Sequence, residues 1–167
     1  MTYHILWVED SPQGAFAPYL SPILSDPDID LEVAYDATQA FQRLKSKYYN
    51  LIIFDLDLPA GDNDAFQAIH RFCTPGLEKN DCVLGCHLLR LWLGHEPDNL
   101  PEEIETKTLR LPRSLSIQQI IVYSVYANNF RENLKNLGLR ETQIIQKDAK
   151  QGRFFLHRRV KSFLEGK

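Results

Sequence analysis

The chain has 167 residues, enough to bury roughly two-thirds of its unfolded surface around one core. Hydrophobic residues make up 44% and charged residues 25%, the balance of a globular protein rather than a disordered or fibrous one. A net charge of −3 argues against nucleic-acid binding by bulk electrostatics, and no apolar run approaches the length of a membrane span. With three cysteines, which cannot all pair with one another, and no stretch resembling a secretory signal, a cytoplasmic protein is expected.

The first element is a short apolar run, Ile5 to Val8, which reads as a strand buried on both faces and ends in Glu9 and Asp10. Ser11-Pro12 then starts a helix to about Leu24, short or kinked because Pro18 and Pro22 lie inside it. Leu31 to Tyr35 reads as a strand, and Asp36 caps an amphipathic helix with Ala37, Ala40, Phe41 and Leu44 on one face. The run Leu51 to Phe54 is the central strand. It stops abruptly at Asp55 and Asp57, before the turn residues Pro59 and Gly61.

Two irregular stretches follow, at about 59–84 and 97–116, each longer than an idle loop. Asp64 to Phe72 in the first reads as a short helix, and Gly85 to Leu93 between them carries Leu88, Leu89, Trp92 and Leu93 at helical spacing. The strand IQQIIVYS ends at Ser124, and a helix runs through NNFRENLKNLG to Gly138. The strand TQIIQK ends at Lys147, and a last helix, about 152–164, is basic outside and apolar inside. Strands alternating with helices predict an α/β fold: a doubly wound, five-stranded parallel sheet with helices on both faces and right-handed crossovers.

In such a sheet, ligands bind beyond the carboxyl ends of the strands. Glu9, Asp10, Asp55, Ser124 and Lys147 all arrive at that edge. Crowded carboxylates repel one another unless a cation sits among them, and Mg²⁺ takes hard oxygen ligands. A hydroxyl and an ammonium at the same place suit the oxygens of a transferring phosphoryl group, with Asp55 as nucleophile.

These residues give the sequence its resemblance to the receiver domains of two-component response regulators: Glu9-Asp10 after ILWV, Asp55 in IIFDLDLP, Ser124 after IIVY and Lys147 after QIIQ. The resemblance implies a single receiver-like domain over 1–167, flavodoxin-like with strand order 2-1-3-4-5 and the two long stretches as insertions. It implies that Asp55 is the phosphoacceptor and that Asp10, Asp55 and the backbone carbonyl of Asp57 hold Mg²⁺, with Glu9 acting alongside. Ser124 and Lys147 would grip the phosphoryl oxygens. The donor would be a histidine kinase or phosphotransfer protein and the readout a contact with a downstream protein. No nucleic acid, no membrane and no enzymatic activity beyond the chain's own phosphoryl chemistry are expected.

Three positions depart from the family pattern: Val125 where Ala or Gly is usual, Ile144 where an aromatic is usual, and Asp148 where proline usually follows the lysine. They favour a second reading, a pseudo-receiver used only as a binding module. Since Ile144 has no ring to swing, residues 59–84, with Tyr126 assisting, are expected to carry the readout. The FDLD segment also resembles the nucleophile motif of haloacid-dehalogenase-like phosphatases, but too little chain follows Lys147 to supply that class's later acidic pair. Finally, His70, Cys73, Cys82, Cys86, His87 and His95 cluster in sequence, though their spacing matches no standard zinc site and small buried thiols explain the cysteines as well.

Overall fold

The structure is a computed structural model that describes residues 2–11, 17–73, 83–96 and 99–166. Its elements are β1 (Tyr3–Val8), α1 (Ala17–Leu24), β2 (Ile29–Ala34), α2 (Ala37–Ser46), β3 (Leu51–Phe54), α3 (Asp64–Cys73), α4 (Leu84–Trp92), β4 (Ile120–Ser124), α5 (Arg131–Asn136), β5 (Ile144–Gln146) and α6 (Phe155–Leu164). The five strands form one parallel sheet in the order β2-β1-β3-β4-β5, as expected.

Alternation along each strand divides the core in two. Leu6, Val8, Ile52, Phe54, Ile120, Val122 and Ile144 face α2, α3, α4 and α5. Their neighbours Ile5, Trp7, Leu51, Ile53, Ile121, Tyr123 and Ile145 face α1 and α6. Every residue of β3 is buried, which is why its sequence shows an unbroken apolar run rather than alternation.

The described part of the first long stretch, 59–73 and 83–84, joins the core. On α3, Phe66 and Ile69 are fully buried, and the Phe66 ring stands edge-on to Phe41 at 5.5 Å and to Trp92 at 6.3 Å. The second stretch is tied down by its backbone: Trp92 Nε1 donates to the Leu109 carbonyl at 3.0 Å, and Leu109 and Leu111 are buried.

Several boundaries differ from the sequence expectation for local reasons. Ile117–Gln119 is a 3-10 turn, with the Ser116 hydroxyl accepting from the Gln118 amide and the Ser116 amide donating to Gln119 Oε1, so β4 begins only at Ile120. Glu141–Gln143 turns likewise before β5, because the buried Gln143 side chain donates to the carbonyls of Ile117 and Ile120. The second strand starts two residues early, since Ile29 pairs with Tyr3. α1 is short and contains Pro22; the proposed start at Ser11-Pro12 falls largely outside the described residues, as does 74–82 of the proposed readout segment.

The last helix is not uniformly free on its basic side. Lys161 pairs with Asp26 at 3.3 Å and Asp28 at 3.5 Å, and His157 Nε2 lies 2.8 Å from Asp26. Arg158 and Arg159 are exposed.

Candidate functional site

Strands β1, β3 and β5 end at the same edge of the sheet, with β4 between the last two, and the ladder continues one residue beyond each end. The Glu9 amide donates to the Ala34 carbonyl, the Asp55 amide to Val8 and the Lys147 amide to Ser124. These bonds aim the side chains of residues 9, 55 and 147 at one place. Lys147 Nζ donates to both Glu9 Oε2 and Asp55 Oδ2. Glu9, Asp55, Ser124 and Lys147 are all buried, while Asp10 and Asp57 are exposed at the mouth.

Ligand oxygens of Glu9, Asp10 and Asp55 lie within 4.8 Å of one another. The other Asp55 oxygen, Oδ1, accepts the Asp57 amide at 3.2 Å, and the Ser124 hydroxyl accepts the Tyr126 amide at 3.2 Å. The five residues expected at the strand ends, with Asp57 beside Asp55, thus lie at this edge of the sheet.

The electrostatics follow from burial and like charge. Burial pushes the Glu9 carboxyl up to about 6; Lys147 works against that and Asp55 adds to it. Burial alone would lower the Lys147 ammonium, but Asp55 and Glu9 together outweigh it and leave its pKa raised. The Asp57 carboxyl is raised by burial, then by Asp55 and Asp10. A buried ammonium shared by two carboxylates beside a third leaves two negative charges unbalanced, so the edge favours a further cation.

The floor of the cleft is held from α2. The amides of Ala37 and Thr38 donate to the carbonyls of Pro59 and Ala60, and the Thr38 hydroxyl donates to Ala60 at 2.8 Å. Gly61, at φ 78°, passes so close that a Cβ there would stand 2.6 Å from Asp36 Oδ1 and Thr38 Oγ1. No other residue fits without moving the turn.

Among solved structures, two receiver domains are similar to the chain over nearly its whole length. One is a CheY-like response regulator receiver domain from Methanospirillum hungatei JF-1, with a TM-score of 0.56, 20% identity, and coverage of 99% of this chain and 96% of that one. The other is the receiver domain of the Francisella response regulator 1452, with a TM-score of 0.54, 17% identity, and coverage of 99% and 98%. The fold is that of response regulator receiver domains. No family model matches the sequence, and no curated protein matches it.

Within the receiver fold the three departures can be located. Ile144 is buried and pairs with Val122 in the sheet. Val125 is 43% exposed. Asp148 holds the turn after β5, its Oδ1 accepting from the Lys150 amide and its carbonyl from the Tyr19 hydroxyl. Tyr126 is half-buried and packs against the core on the α5 side.

Among the described residues, the zinc candidates read from the sequence form no group able to hold a metal. Cys73 is disulfide-bonded and so has no thiolate to offer a metal, Cys86 is free, and Cys82 lies outside the described residues. Among the described residues, the group able to surround a metal is Glu9, Asp10 and Asp55. Two neighbours of the site were not singled out for it from the sequence. The Tyr123 ring lies 5.7 Å from Lys147 Nζ, and His70 of α3 lines the cleft with Asp10 and Asp57. Strand alternation placed Tyr123 only on the α1 face, and nothing local to His70 announced its distant partners.

Proposed function

We propose that the chain is a phosphoacceptor domain of a two-component phosphorelay, phosphorylated on Asp55 and signalling by contact with another protein. The observation that carries this reading is the Lys147 ammonium shared by Glu9 and Asp55, with Asp10 beside them at the ends of three strands.

The donor set fits Mg²⁺, because Glu9, Asp10 and Asp55 present only carboxylate oxygens. Asp10 and Asp55 would hold the ion with the Asp57 backbone carbonyl, and Glu9 would complete the acidic surround. Bound there, Mg²⁺ would offset charge on the phosphoryl oxygens.

The chain's own residues supply the rest. A carboxylate oxygen of Asp55 attacks the phosphorus of a donor phosphohistidine; the O–P bond forms as the P–N bond breaks, and the imidazole leaves with a proton from solvent. The Asp57 amide orients the acceptor carboxylate. Lys147 and the Ser124 hydroxyl, both buried at this edge, would then meet the phosphoryl oxygens. A histidine kinase or phosphotransfer protein is the proposed donor, in the cytoplasm, and residues 1–167 act as one domain.

A small phosphodonor with Mg²⁺ followed by intact mass measurement tests the reading. The wild type should gain one phosphoryl group and Asp55→Asn none, while Asp10→Ala should need more Mg²⁺. Uptake that persists in Asp55→Asn would move the acceptor elsewhere, and no uptake by the wild type would leave the binding-module reading in its place.

A further inference from the structure

His70 belongs to a helix whose position is fixed from several sides. Asn63 Oδ1 accepts the amides of Ala65 and Phe66 at 3.0 and 3.1 Å, capping α3. Phe66 and Ile69 are fully buried, and Gln67 Nε2 donates to the Gly61 carbonyl at 3.0 Å, joining the helix to the cleft floor. His70 follows Ile69 directly, so its backbone is set by core packing. Its side chain is half-buried and lines, with Asp10 and Asp57, an open cleft of about 480 Å³ at the mouth of the acidic cluster. The rest of that lining, from Leu58 to Gly61, brings no ionisable group. The imidazole also acts electrostatically on Asp57, against burial and the neighbouring acids.

We propose that His70 sets the lifetime of the phosphoryl group on Asp55 by taking a proton from the water that hydrolyses it. This rests on the phosphoacceptor reading of Asp55. In the step, the water oxygen bonds to phosphorus while the P–O bond to Asp55 breaks, its electron pair returning to the carboxylate. One water proton passes to an imidazole nitrogen and from there to the leaving phosphate, so the products are the Asp55 carboxylate and dihydrogen phosphate. No further reagent is consumed. Imidazole is the side chain most often used for such transfers, and the cleft that His70 lines with Asp10 and Asp57 is open to water beside the acidic cluster.

The test loads wild type, His70→Gln and His70→Ala with a small phosphodonor and Mg²⁺, removes the donor, and follows loss of the phosphoryl group by intact mass. All three should load, and both variants should lose the group about tenfold or more slowly than wild type. Free imidazole should restore fast loss to His70→Ala while leaving the wild type unchanged. Variants that load and decay at the wild-type rate overturn the proposal, as does slow decay that imidazole does not restore, which would mark a structural role. A wild type that never loads fails at the earlier step and overturns the phosphoacceptor reading itself.

Discussion

The Gly85 amide donates to the Leu56 carbonyl at 3.1 Å, and a Cβ on Gly85 would lie 2.6 Å from the Leu56 Cα and carbonyl oxygen. This is backbone against backbone, with no flexible side chain able to yield. Leu56 sits between Asp55 and Asp57, so the start of α4 sets where the loop after β3 runs. Gly85→Ala should therefore cost about 1–3 kcal/mol by overpacking and lower phosphoryl uptake on Asp55 at limiting Mg²⁺. Urea denaturation and the loading assay check the two parts.

Lys147→Met should leave Glu9 and Asp55 as adjacent buried carboxylates with no ammonium between them. Breaking a buried pair on one side costs about 3–5 kcal/mol. Mg²⁺ should then raise the melting temperature of the variant more than that of the wild type, because the ion restores the missing positive charge. Thermal melts with and without Mg²⁺ decide it.

Glu32 should make stability depend on pH in the acid range. Its carboxyl is held below the ordinary value first by Lys47, then by Tyr49 and Arg43, against an opposing contribution from burial. The Tyr49 hydroxyl donates to Glu32 Oε2 at 2.9 Å. A lowered carboxyl contributes stability that is complete above the unfolded value of about 4.3 and is lost as pH falls through the folded one. Solvent screens the cluster, so Glu32→Gln should cost about 1 kcal/mol at pH 7 and almost nothing at the acid end of the transition. Chemical denaturation of both proteins across that range measures it.

Cys86 should be a slow thiol. Burial pushes it up to about 12, in a cavity it lines with Phe72, His87, Arg90 and Phe130. Relative to an ordinary cysteine, its thiolate fraction at pH 8 falls about a thousandfold. Alkylation at Cys86, followed by peptide mass, should be correspondingly slower in native than in unfolded protein. Its rate should rise with pH well beyond the point where the unfolded thiol has levelled off.

Phe66→Ala tests whether α3 belongs to the core. Its ring meets both Phe41 and Trp92, so the cavity should cost about 3–5 kcal/mol and change the Trp92 fluorescence. A loss well under 1 kcal/mol would mean that α3 can detach without disturbing the sheet.

How far the sequence could be read follows from where its information lies. Buried parallel strands such as β3 announce themselves locally, and the acids that end them come with them. This makes Glu9, Asp10, Asp55, Ser124 and Lys147 legible as a set. What was not legible depended on long-range partners. Ile29 belongs to β2 because of Tyr3, and Gln143 leaves the strand because Ile117 and Ile120 accept its amide. His70 comes to line one cleft with Asp10 and Asp57 only through the packing of Phe66 and Ile69, which local periodicity marks as apolar without saying against what. Cys73 looked like a small buried hydrophobe and is bonded instead.

The contact between Glu9 and Lys147 spans 138 positions. Contacts of that separation form late, because closing so long a loop has to be offset by the strands between. A nascent chain that has emerged through β4 already carries its acids and its hydroxyl but not its ammonium. The cluster's charge balance is therefore completed only when the fifth strand docks, and a half-made molecule holds its carboxylates without their ammonium.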